Sequence, residues 1–388
     1  MNISILIPEL GGGGAERAAV LLGDYYHEKG NEVYYFLADM NIKNRYKPKG
    51  HIVYTHINLD FDNKDSDFSI ISKLLMAAMT IRKYKFKYKI NVAISYMEAF
   101  NYVNILSYQG ERNIVSVRTV LSERADEHYP LYKSKWVKRF YNMARNVVVV
   151  GEYARKDLIE NCGVKNRKIY RIPNAFTYLE GDVLNEKWIY GSKVIVSVGR
   201  LEKVKQQERL IRAFSYVTCR DKEAELIILG EGPQRTYLES LCKKLAIVDK
   251  VHLVGFKQNV GYYLKNSKIF AMTSKTEGFP NSMIEAMSFG LPVVSIDSPG
   301  GSSEIIGKKI NEPNVREISL KKYGILTPYM TGGIREENLE EEEIMLGDAL
   351  LCLLKDDKLY RCYSKRSLKR ANMYSVEHVM KYWDALIM

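Results

Sequence analysis

Two glutamates separated by seven residues stand in residues 273–294, which read TSKTEGFPNSMIEAMSFGLPVV. Glu277 lies in a predicted loop after a short apolar strand, and Glu285 lies within a helix predicted at residues 280–288. Carboxylates in such a loop can accept hydrogen bonds from sugar hydroxyls. The N–H groups and the positive dipole end of the helix suit phosphate oxygens. The pattern therefore indicates a site for a ligand that carries both sugar and phosphate.

Two cations follow another predicted strand, residues 194–198. Arg200 offers a planar fork of donors that matches phosphate oxygens, and Lys205 offers a mobile point charge just before the next helix. Lys203 is near enough in sequence to be confused with Lys205. The spacing indicates that the two cations bind phosphate oxygens.

These side chains need a scaffold that brings strand ends together. Apolar strands are predicted at residues 2–8, 32–37, 52–57, 92–96, 114–117, 147–150, 194–198, 226–229, 251–254, 269–272 and 292–296, with helical patterns between most of them. This alternation predicts α/β architecture with parallel, doubly wound sheets, which bind ligands at the carboxyl ends of their strands. A chain of 388 residues fits two domains. We predict domains at residues 1–176 and 192–372, a linker at 177–191 and a closing helix at 373–388.

A run of four glycines, residues 11–14, follows the first predicted strand and leads into a helix. It fails the dinucleotide-binding fingerprint because Glu16 and Arg17 occupy the positions where the third glycine would fall. It also fails the P-loop pattern because no Gly-Lys-Ser/Thr follows. The segment is either a tight turn or a ligand cradle.

Together these motifs resemble glycosyltransferase family 4, the retaining enzymes of the GT-B fold. EGFPNSMIEAMSFGLPVV is similar to the donor-binding signature of that family, in which two glutamates precede Ala-Met-Ala-x-Gly-x-Pro-Val. VGRLEKVK resembles Val-Gly-Arg-Leu-x-x-x-Lys, although Gln206 stands where a glycine usually follows the lysine. The glycine run and Ile172-Pro173-Asn174 resemble motifs of the N-terminal domain. The resemblance implies two Rossmann-like domains facing across a cleft, with the C-terminal helix returning to the N-terminal domain.

The resemblance also implies a nucleotide-sugar donor, with UDP favoured, bound by the C-terminal domain. Glu285 would hold the ribose hydroxyls, and Glu277 the hydroxyls of the transferred sugar. Arg200 and Lys205 would neutralise the leaving diphosphate, so that Glu277, Arg200 and Lys205 form the catalytic set. The rest of the donor site would comprise Gly13, Gly14, Gly255, Phe256, Gly278, Phe279, Pro280 and Asn281.

The implied mechanism needs neither a metal nor another cofactor, because cations already in place stabilise the charge that develops on the diphosphate. Same-face attack, in which the leaving phosphate accepts the acceptor's proton, also needs no enzymatic nucleophile. Neither Glu16 nor Glu98 has the signature of one. The segment Asp65-Ser66-Asp67 matches the metal-binding Asp-x-Asp of the GT-A fold but lies in a polar loop, and we interpret Asp67 as a helix N-cap.

The predicted acceptor residues are Glu98, Arg118 and Arg124, which follow strands of the first domain. Many family 4 enzymes have a histidine about where Arg118 stands, and arginine there resembles enzymes that extend lipid-linked oligosaccharides. An arginine would bind a phosphate or sugar oxygen and would not act as a general base at neutral pH. The resemblance thus implies a polyprenyl-diphosphate-linked sugar as acceptor, as in capsule, O-antigen or glycoprotein glycan assembly. Alternatives are a soluble sugar or other lipid acceptor, or a GT-B epimerase or phosphorylase.

The net charge of +12 indicates an anionic partner. Residues 69–89 begin with apolar positions at helical spacing and end in RKYKFKYK, where basic and aromatic residues alternate. Such a segment suits an anionic membrane surface. The predicted membrane residues are Arg82, Lys83, Lys85, Lys87 and Lys89. A solvated helix end is the plainer alternative; nucleic acid would use the same residues, but no recognised nucleic-acid module accompanies them.

No signal peptide and no apolar run of membrane-spanning length is visible. Five scattered cysteines without CxxC spacing argue against a metal site or a disulfide framework and favour a reducing cytosol. We therefore expect a cytoplasmic protein that is peripheral on the inner face of the cell membrane. The pattern assigns neither the donor sugar, the oligomeric state nor the structure of residues 307–340.

Overall fold

The structure is a computed structural model that describes residues 1–11, 13–38, 45–59, 61, 65–124, 130–179, 188–312, 314–331 and 338–388. The chain forms two compact units. The first comprises Met1–Ala175 and Val376–Met388, and the second comprises Phe176–Ser375.

The first unit is built on a seven-stranded sheet of order β3-β2-β1-β4-β5-β6-β7 in which neighbouring strands are parallel. Because all the strands run the same way, their carboxyl ends share one edge. The strands are β1 (Asn2–Leu6), β2 (Glu32–Leu37), β3 (His51–Tyr54), β4 (Val92–Tyr96), β5 (Arg112–Val117), β6 (Asn146–Val149) and β7 (Ile169–Arg171). The helices are α1 (Gly14–Glu28), α2 (Asp67–Lys87), α3 (Glu98–Leu106), α4 (Ser134–Tyr141) and α5 (Glu152–Glu160).

The second unit repeats this design with a seven-stranded sheet of order β10-β9-β8-β11-β12-β14-β13. Among the strands of the described residues, the short edge strand β13 alone is antiparallel to its neighbour. The strands are β8 (Lys193–Val198), β9 (Ala224–Leu229), β10 (Val251–Gly255), β11 (Ile269–Met272), β12 (Val293–Ile296), β13 (Ser319–Leu320) and β14 (Ile325–Thr327). The helices are α6 (Gln207–Thr218), α7 (Arg235–Lys244), α8 (Val260–Asn266), α9 (Asn281–Ser288), α10 (Gly301–Ile306), α11 (Glu341–Lys355) and α12 (Asp357–Asn372).

Apolar cores cover both faces of each sheet. In the first unit one core includes residues of α2 to α5, and the other includes residues of α1 and the last helix of the chain. The inner strands β1 and β4 are accordingly buried along almost their whole length and mostly apolar, as expected where a parallel sheet is buried on both faces. This packing leaves the strand ends and the loops that follow them as the polar edge of each sheet.

The last helix, α13 (Val376–Ile387), belongs to the first unit. The carboxylate of Asp384 accepts hydrogen bonds from Tyr25 at 2.7 Å and Tyr26 at 3.1 Å, both on α1, and from Lys29, the residue just after α1, at 2.7 Å. Burial alone would raise the pKa of Asp384, but these donors outweigh it and lower that pKa. The polar cluster fixes the register of α13 on α1.

A buried charge cluster joins α6 to α11 in the second unit. Glu343 accepts from Arg209 at 2.9 Å and from Arg212 at 2.8 Å, and all three side chains are almost fully buried. Glu340 also pairs with Arg209, at 2.8 Å. Because α6 starts just after Lys205, the cluster holds the helix that follows the predicted cationic loop.

The prediction of two doubly wound α/β sheets is confirmed. Some details differ. The third strand covers His51–Tyr54 rather than residues 52–57, and Ser66 rather than Asp67 caps α2 by accepting from the backbone N–H of Ser69. Residues 307–340, which the sequence pattern left unassigned, contribute β13 and β14. Among the described helices, none is both long enough and apolar enough to cross a bilayer.

The predicted linker, residues 177–191, lies partly outside the described residues, at 180–187. Its last residues pack on the second unit. The indole N–H of Trp188 donates to the carbonyl oxygen of Gly191 at 3.1 Å, and its ring meets that of Tyr262 edge to face at 5.9 Å. The chain enters the second unit at Phe176 and leaves it at Ser375, and these two residues form a backbone bridge.

Candidate functional site

Neighbouring parallel strands bring two of the predicted motifs together. β8 and β11 are adjacent in the second sheet, so the loops that follow them, residues 199–206 and 273–280, emerge at the same edge. The backbone N–H of Lys275 donates to the carbonyl oxygen of Val204 at 2.7 Å. The two loops therefore touch although about seventy residues of sequence separate them.

Lys205 and Glu277 meet at this edge. The Lys205 ammonium lies 2.5 Å from Oε1 of Glu277, and the two side chains are 22% and 14% exposed. The pair is thus accessible but largely removed from water, where a charged contact is stronger than at an open surface. A cation and an anion predicted from separate motifs stand side by side.

The loop that carries Lys205 makes a left-handed turn at Gln206, whose φ is +48° and ψ +39°. Non-glycine residues rarely adopt this conformation, which accounts physically for the glycine usual at this position in the family that the motif resembles. The hydroxyl of Thr273, at the end of β11, lies 3.1 Å from the carbonyl oxygen of Lys205 and 2.9 Å from that of Gln206. This hydroxyl therefore anchors the turn.

The loop of Glu277 is fixed by a close backbone approach. Gly300 has a φ of +113°, and a Cβ at this position would collide with the carbonyl oxygen of Glu277. The N–H of Gly301 donates to the same oxygen at 2.7 Å, and the hydroxyl of Thr276 donates to the carbonyl oxygen of Pro299 at 3.3 Å. The start of α10 thereby holds the catalytic candidate in place.

Helix α9 begins at Asn281, one residue later than predicted, and Pro280 occupies its N-cap position. The N–H groups of a first helical turn have no acceptors within the helix, so this end suits an anion. Gly278 and Phe279 complete the loop before the cap, and the Phe279 ring packs edge to face on Tyr374 with ring centres 5.2 Å apart. Glu285, four residues after Asn281 in α9, is 5% exposed and is therefore a buried acid.

Arg200 lies in the loop after β8, with its side chain three-quarters exposed and Nη1 2.8 Å from a carboxylate oxygen of Glu202. Gly255 ends β10, and Phe256, just after it, is 54% exposed. Since β10, β9, β8 and β11 are consecutive in the sheet, the second unit gathers its predicted donor residues at one edge. Their roles in donor binding stay predictions.

The first unit gathers its candidates in the same way. β1, β4 and β5 are neighbours, and they lead to Gly13 and Gly14, to Glu98 and to Arg118 respectively. Gly14 opens α1, and Glu98 opens α3 with 6% of its surface exposed. The side chain of Arg124 lies outside the described residues. The predicted acceptor roles remain predictions.

Arg118 has two partners that the sequence analysis did not assign. Its guanidinium carbon lies 4.7 Å from the centre of the Tyr96 ring, and Nη1 donates to Oδ1 of Asn174. Burial lowers the pKa of Arg118, while Tyr96 acts in the opposite direction. Asn174 was visible in the sequence as part of Ile172-Pro173-Asn174, and the resemblance of this motif to the N-terminal domain of the family was the signal that could have found it.

The residue before Glu98 is strained. Met97 has a φ of +69° and a ψ of +146°, a conformation that costs a non-glycine residue about 1–3 kcal/mol. Such strain persists where surrounding structure enforces it, and it is frequent at ligand sites. No sequence pattern predicted it, because a methionine carries no preference for positive φ.

One predicted membrane residue is wrong. The ammonium of Lys85 is buried between α2 and α3, 2.7 Å from a carboxylate oxygen of Glu111 and 2.8 Å from Oδ1 of Asn104. Burial lowers the pKa of Lys85 to about 8 although Glu111 opposes the shift. It therefore cannot reach a lipid phosphate without breaking this network. The remaining members of the set, Arg82, Lys83, Lys87 and Lys89, are exposed.

The Asp-x-Asp segment before α2 is engaged by lysines. Asp65 accepts from Lys73 at 2.8 Å, and Asp67 accepts from Lys135 at 2.7 Å. The second carboxylate lies in the first turn of α2, where a negative charge is favourable. Both acids thus have a structural role at the start of this helix.

Comparison with known families matches both halves of the chain. Residues 12–177 match the family model described as Glycosyltransferase Family 4, and residues 185–315 match the model described as Glycosyl transferases group 1. The resemblance predicted from the motifs is confirmed.

Two relatives illustrate the range of the match. An uncharacterised glycosyltransferase of Methanocaldococcus jannaschii is 34% identical over 266 residues, which cover 64% of this chain and 65% of the relative. The N-acetylgalactosamine-N,N'-diacetylbacillosaminyl-diphospho-undecaprenol 4-alpha-N-acetylgalactosaminyltransferase of Campylobacter jejuni is 27% identical over an alignment that covers 99% of this chain and 98% of that enzyme. The chain thus spans about two thirds of the first relative and nearly all of the second.

The fold is that of solved GT-B glycosyltransferases. HepE of Anabaena in complex with UDP-glucose superposes with a TM-score of 0.72 at 17% identity, over 100% of this chain and 99% of HepE. At this level of identity the likeness establishes the fold. The predicted GT-B architecture is confirmed.

Proposed function

We propose that this chain, which belongs to the GT-B glycosyltransferases that combine a family 4 domain with a group 1 domain, is a retaining hexosyltransferase. It moves a hexose or N-acetylhexosamine from a UDP-sugar to a polyprenyl-diphosphate-linked sugar. One observation carries the proposal: Lys205 and Glu277, from two separate motifs, are in contact at the ends of adjacent strands, just before the N-terminus of α9.

The donor binds at the edge of the second sheet. The diphosphate oxygens accept hydrogen bonds from the ammonium of Lys205, the guanidinium of Arg200 and the N–H groups at the start of α9. Glu277 then exchanges its lysine for hydroxyls of the transferred sugar, and Glu285 holds the ribose. The bound UDP-glucose of HepE, which shares the fold, supports a UDP-linked donor.

The chemistry is a same-face displacement at the anomeric carbon. The bond from this carbon to the diphosphate oxygen breaks, the acceptor hydroxyl oxygen forms the new bond, and its proton passes to the leaving phosphate. Negative charge grows on the diphosphate in the transition state, so fixed cations stabilise the transition state more than the ground state. We propose that Lys205, Arg200 and the helix end supply this stabilisation without a metal ion.

The acceptor is held by the first unit. The Campylobacter relative, which aligns over nearly the whole chain, is named for a diphospho-undecaprenol-linked acceptor, and this supports a lipid-linked sugar here. Arg118, fixed by Tyr96 and Asn174, binds a phosphate or sugar oxygen of the acceptor. Glu98 and Arg124 are proposed to bind the same acceptor. The exposed cations Arg82, Lys83, Lys87 and Lys89 support our proposal that the enzyme is peripheral at an anionic membrane face, on the cytoplasmic side.

The donor site is tested by thermal shift and saturation-transfer NMR with UDP-, GDP- and dTDP-sugars. We expect one UDP-sugar to stabilise the protein, and Lys205→Met and Glu285→Ala to weaken its binding by about tenfold or more, since a charge-assisted hydrogen bond contributes about 1.5–3 kcal/mol. Lys203→Met is the matched control: this lysine is exposed, two residues away, and binding should be unchanged. Failure of every nucleotide sugar to bind would refute the donor site.

The acceptor is tested by offering the preferred donor with a short-chain polyprenyl-diphosphate-linked sugar. We expect transfer with the donor's anomeric configuration retained, measured by NMR coupling constants, and an unchanged rate in a chelator. Transfer to the free sugar at an equal rate would favour a soluble acceptor instead. Consumption of the donor without any acceptor would indicate an epimerase or a phosphorylase.

A further inference from the structure

Helix α2 carries an apolar stripe on its outer side. The side chains of Phe68, Leu75, Met79 and Phe86 are 82%, 46%, 59% and 80% exposed. They are separated by seven, four and seven residues, and at 3.6 residues per turn this spacing places them on one line along the helix. Large apolar side chains scattered singly on a surface need no explanation, but a continuous row of them does.

The opposite side of α2 already packs against the rest of the first unit. Ile70, Leu74 and Ile81 are fully buried in the core of the first unit, and Lys85 is anchored to Glu111. The helix is therefore apolar on two opposite sides over most of its length. An ordinary surface helix has one apolar side and one polar side, and a second apolar side indicates a second contact.

The charges around the stripe indicate what this contact is. Residues 68–89 contain six lysines and arginines and no aspartate or glutamate. By helical geometry Arg82 and Lys83 lie on either side of the stripe near Phe86, where both are exposed. A surface that is apolar along its centre and basic at its flanks complements an anionic bilayer, with apolar side chains at the acyl boundary and cations among the phosphates.

We propose that α2 lies in the plane of an anionic bilayer, with Phe68, Leu75, Met79 and Phe86 inserted into it. The helix has 21 residues and is about 30 Å long, so it can hold one side of the first unit against the bilayer. The inference deepens the membrane location in the proposed function and is independent of the transfer chemistry. It adds that apolar insertion, rather than the attraction of basic residues alone, holds the protein to lipid.

The test compares two matched double variants of the full chain in vesicle co-sedimentation. Leu75→Gln with Met79→Gln removes the centre of the stripe. Leu368→Gln with Met373→Gln makes the same chemical change on the second unit, where these side chains are 48% and 47% exposed. With phosphatidylcholine vesicles containing about one quarter phosphatidylglycerol, we expect the first variant to bind about tenfold or more weakly and the second to bind like the wild type.

Salt distinguishes insertion from charge attraction. Exposed charges are largely screened at about 0.5 M NaCl, so binding by basic residues alone would be lost. If the stripe inserts, an appreciable part of the wild-type vesicle binding should remain at this salt concentration. The Leu75→Gln/Met79→Gln variant should lose this salt-resistant part of the binding. A direct readout is Met79→Trp, whose fluorescence should shift to the blue with vesicles and be quenched by brominated acyl chains.

Three outcomes would overturn the inference. Vesicle binding by Leu75→Gln/Met79→Gln equal to wild type shows that another surface holds the lipid. In the second outcome the wild type binds no lipid but forms a concentration-dependent dimer that this variant abolishes. That result would assign the stripe to contact with a second copy of the chain. Unchanged circular dichroism and UDP-sugar binding in the variants separate these results from misfolding. Wild type that binds a UDP-sugar but no vesicles refutes the docking while leaving the donor site intact.

Discussion

A single hydroxyl connects the two motifs of the candidate donor site. Thr273, at the end of β11, lies within hydrogen-bonding distance of the carbonyl oxygens of Lys205 and Gln206 in the loop after β8. Removing it takes this donor from the Lys205 carbonyl, whereas the Gln206 carbonyl still accepts from the backbone N–H of Arg209 at 3.0 Å. We therefore expect Thr273→Val to lower the free energy of unfolding by about 1–2 kcal/mol and to weaken UDP-sugar binding severalfold by releasing Lys205.

Thr273→Ser keeps the hydroxyl and should restore binding, although it lacks the methyl group. Urea unfolding and calorimetric titration with the donor would measure the two effects separately. A merely structural role predicts that Thr273→Val loses stability while the affinity of the folded protein is unchanged. Equal affinities of the valine and serine variants would therefore contradict a positioning role.

A substitution at Gln206 should raise the free energy of unfolding rather than lower it. Its left-handed backbone costs an L-residue about 1 kcal/mol relative to glycine. Its Oε1 is buried and has no hydrogen-bond partner among the residues that the structure describes. We expect Gln206→Gly to raise the free energy of unfolding by up to about 1 kcal/mol, with part of the gain offset by the flexibility of glycine in the unfolded chain. Gln206→Ala keeps the backbone strain and is the control. Greater stability of the alanine variant would contradict this account.

At the scale of elements, the Lys85–Glu111 pair anchors the C-terminal half of α2 to the rest of the first unit. Both side chains are nearly inaccessible, and Glu111 also accepts from the backbone N–H of Gln109 at 2.9 Å. Removing one partner leaves a buried charge uncompensated. We expect Lys85→Met to lower the free energy of unfolding by about 3–5 kcal/mol, as measured by urea denaturation.

The double variant Lys85→Met/Glu111→Leu tests the reason for that loss. If the uncompensated carboxylate is the cause, the second substitution recovers most of the stability, because a buried ion pair contributes little over an apolar pair of similar volume. Additive losses from Lys85→Met and Glu111→Leu would instead show that packing is the cause.

Lys85 also shows how far sequence reasoning reached. The basic and aromatic run suggested that every lysine in it was exposed, yet Lys85 falls four residues after Ile81 on the buried side of the helix. The helical period could have revealed this. Its partner Glu111 could not be foreseen, because pairing across 26 residues depends on how α2 packs on α3.

The donor motifs show the same division. Strand, loop and helix around Glu277 were predictable because their signals lie within about ten residues of sequence, and the structure places α9 within one residue of the prediction. The contact between Glu277 and Lys205 spans 72 residues and exists because β8 and β11 are neighbours. Alternating strands and helices predict a parallel sheet but not the order of its strands. The sequence pattern therefore predicted the parts of this edge, and the tertiary fold assembled them.

At the scale of the whole molecule, the two units should differ in their response to alkali. Burial raises the pKa of four tyrosines in the first unit, Tyr26, Tyr35, Tyr96 and Tyr141. In the second unit it raises the pKa of the fully buried Tyr363 to about 12, and it also raises the pKa of the partly exposed Tyr190 and Tyr360. The fully buried tyrosines with a raised pKa therefore lie mainly in the first unit. Above pH 10 the unfolded chain releases these protons while the folded chain keeps them, so stability falls as pH rises. Each such tyrosine contributes about 1.4 kcal/mol per pH unit.

The first unit should therefore lose up to about 5 kcal/mol per pH unit above pH 10 and unfold before the second. Lys85 acts in the opposite direction between about pH 8 and 10.5, because its pKa of about 8 lets the folded state release a proton before the unfolded state does. Above this range the tyrosines act without that opposition. Digestion with an alkali-tolerant protease at about pH 10.5–11, with fragments identified by mass, should leave fragments of Phe176–Ser375 longest. Tyr35→Phe should delay the loss, since phenylalanine does not titrate. Earlier cleavage of the second unit would contradict the assignment of alkali sensitivity to the first unit's buried tyrosines.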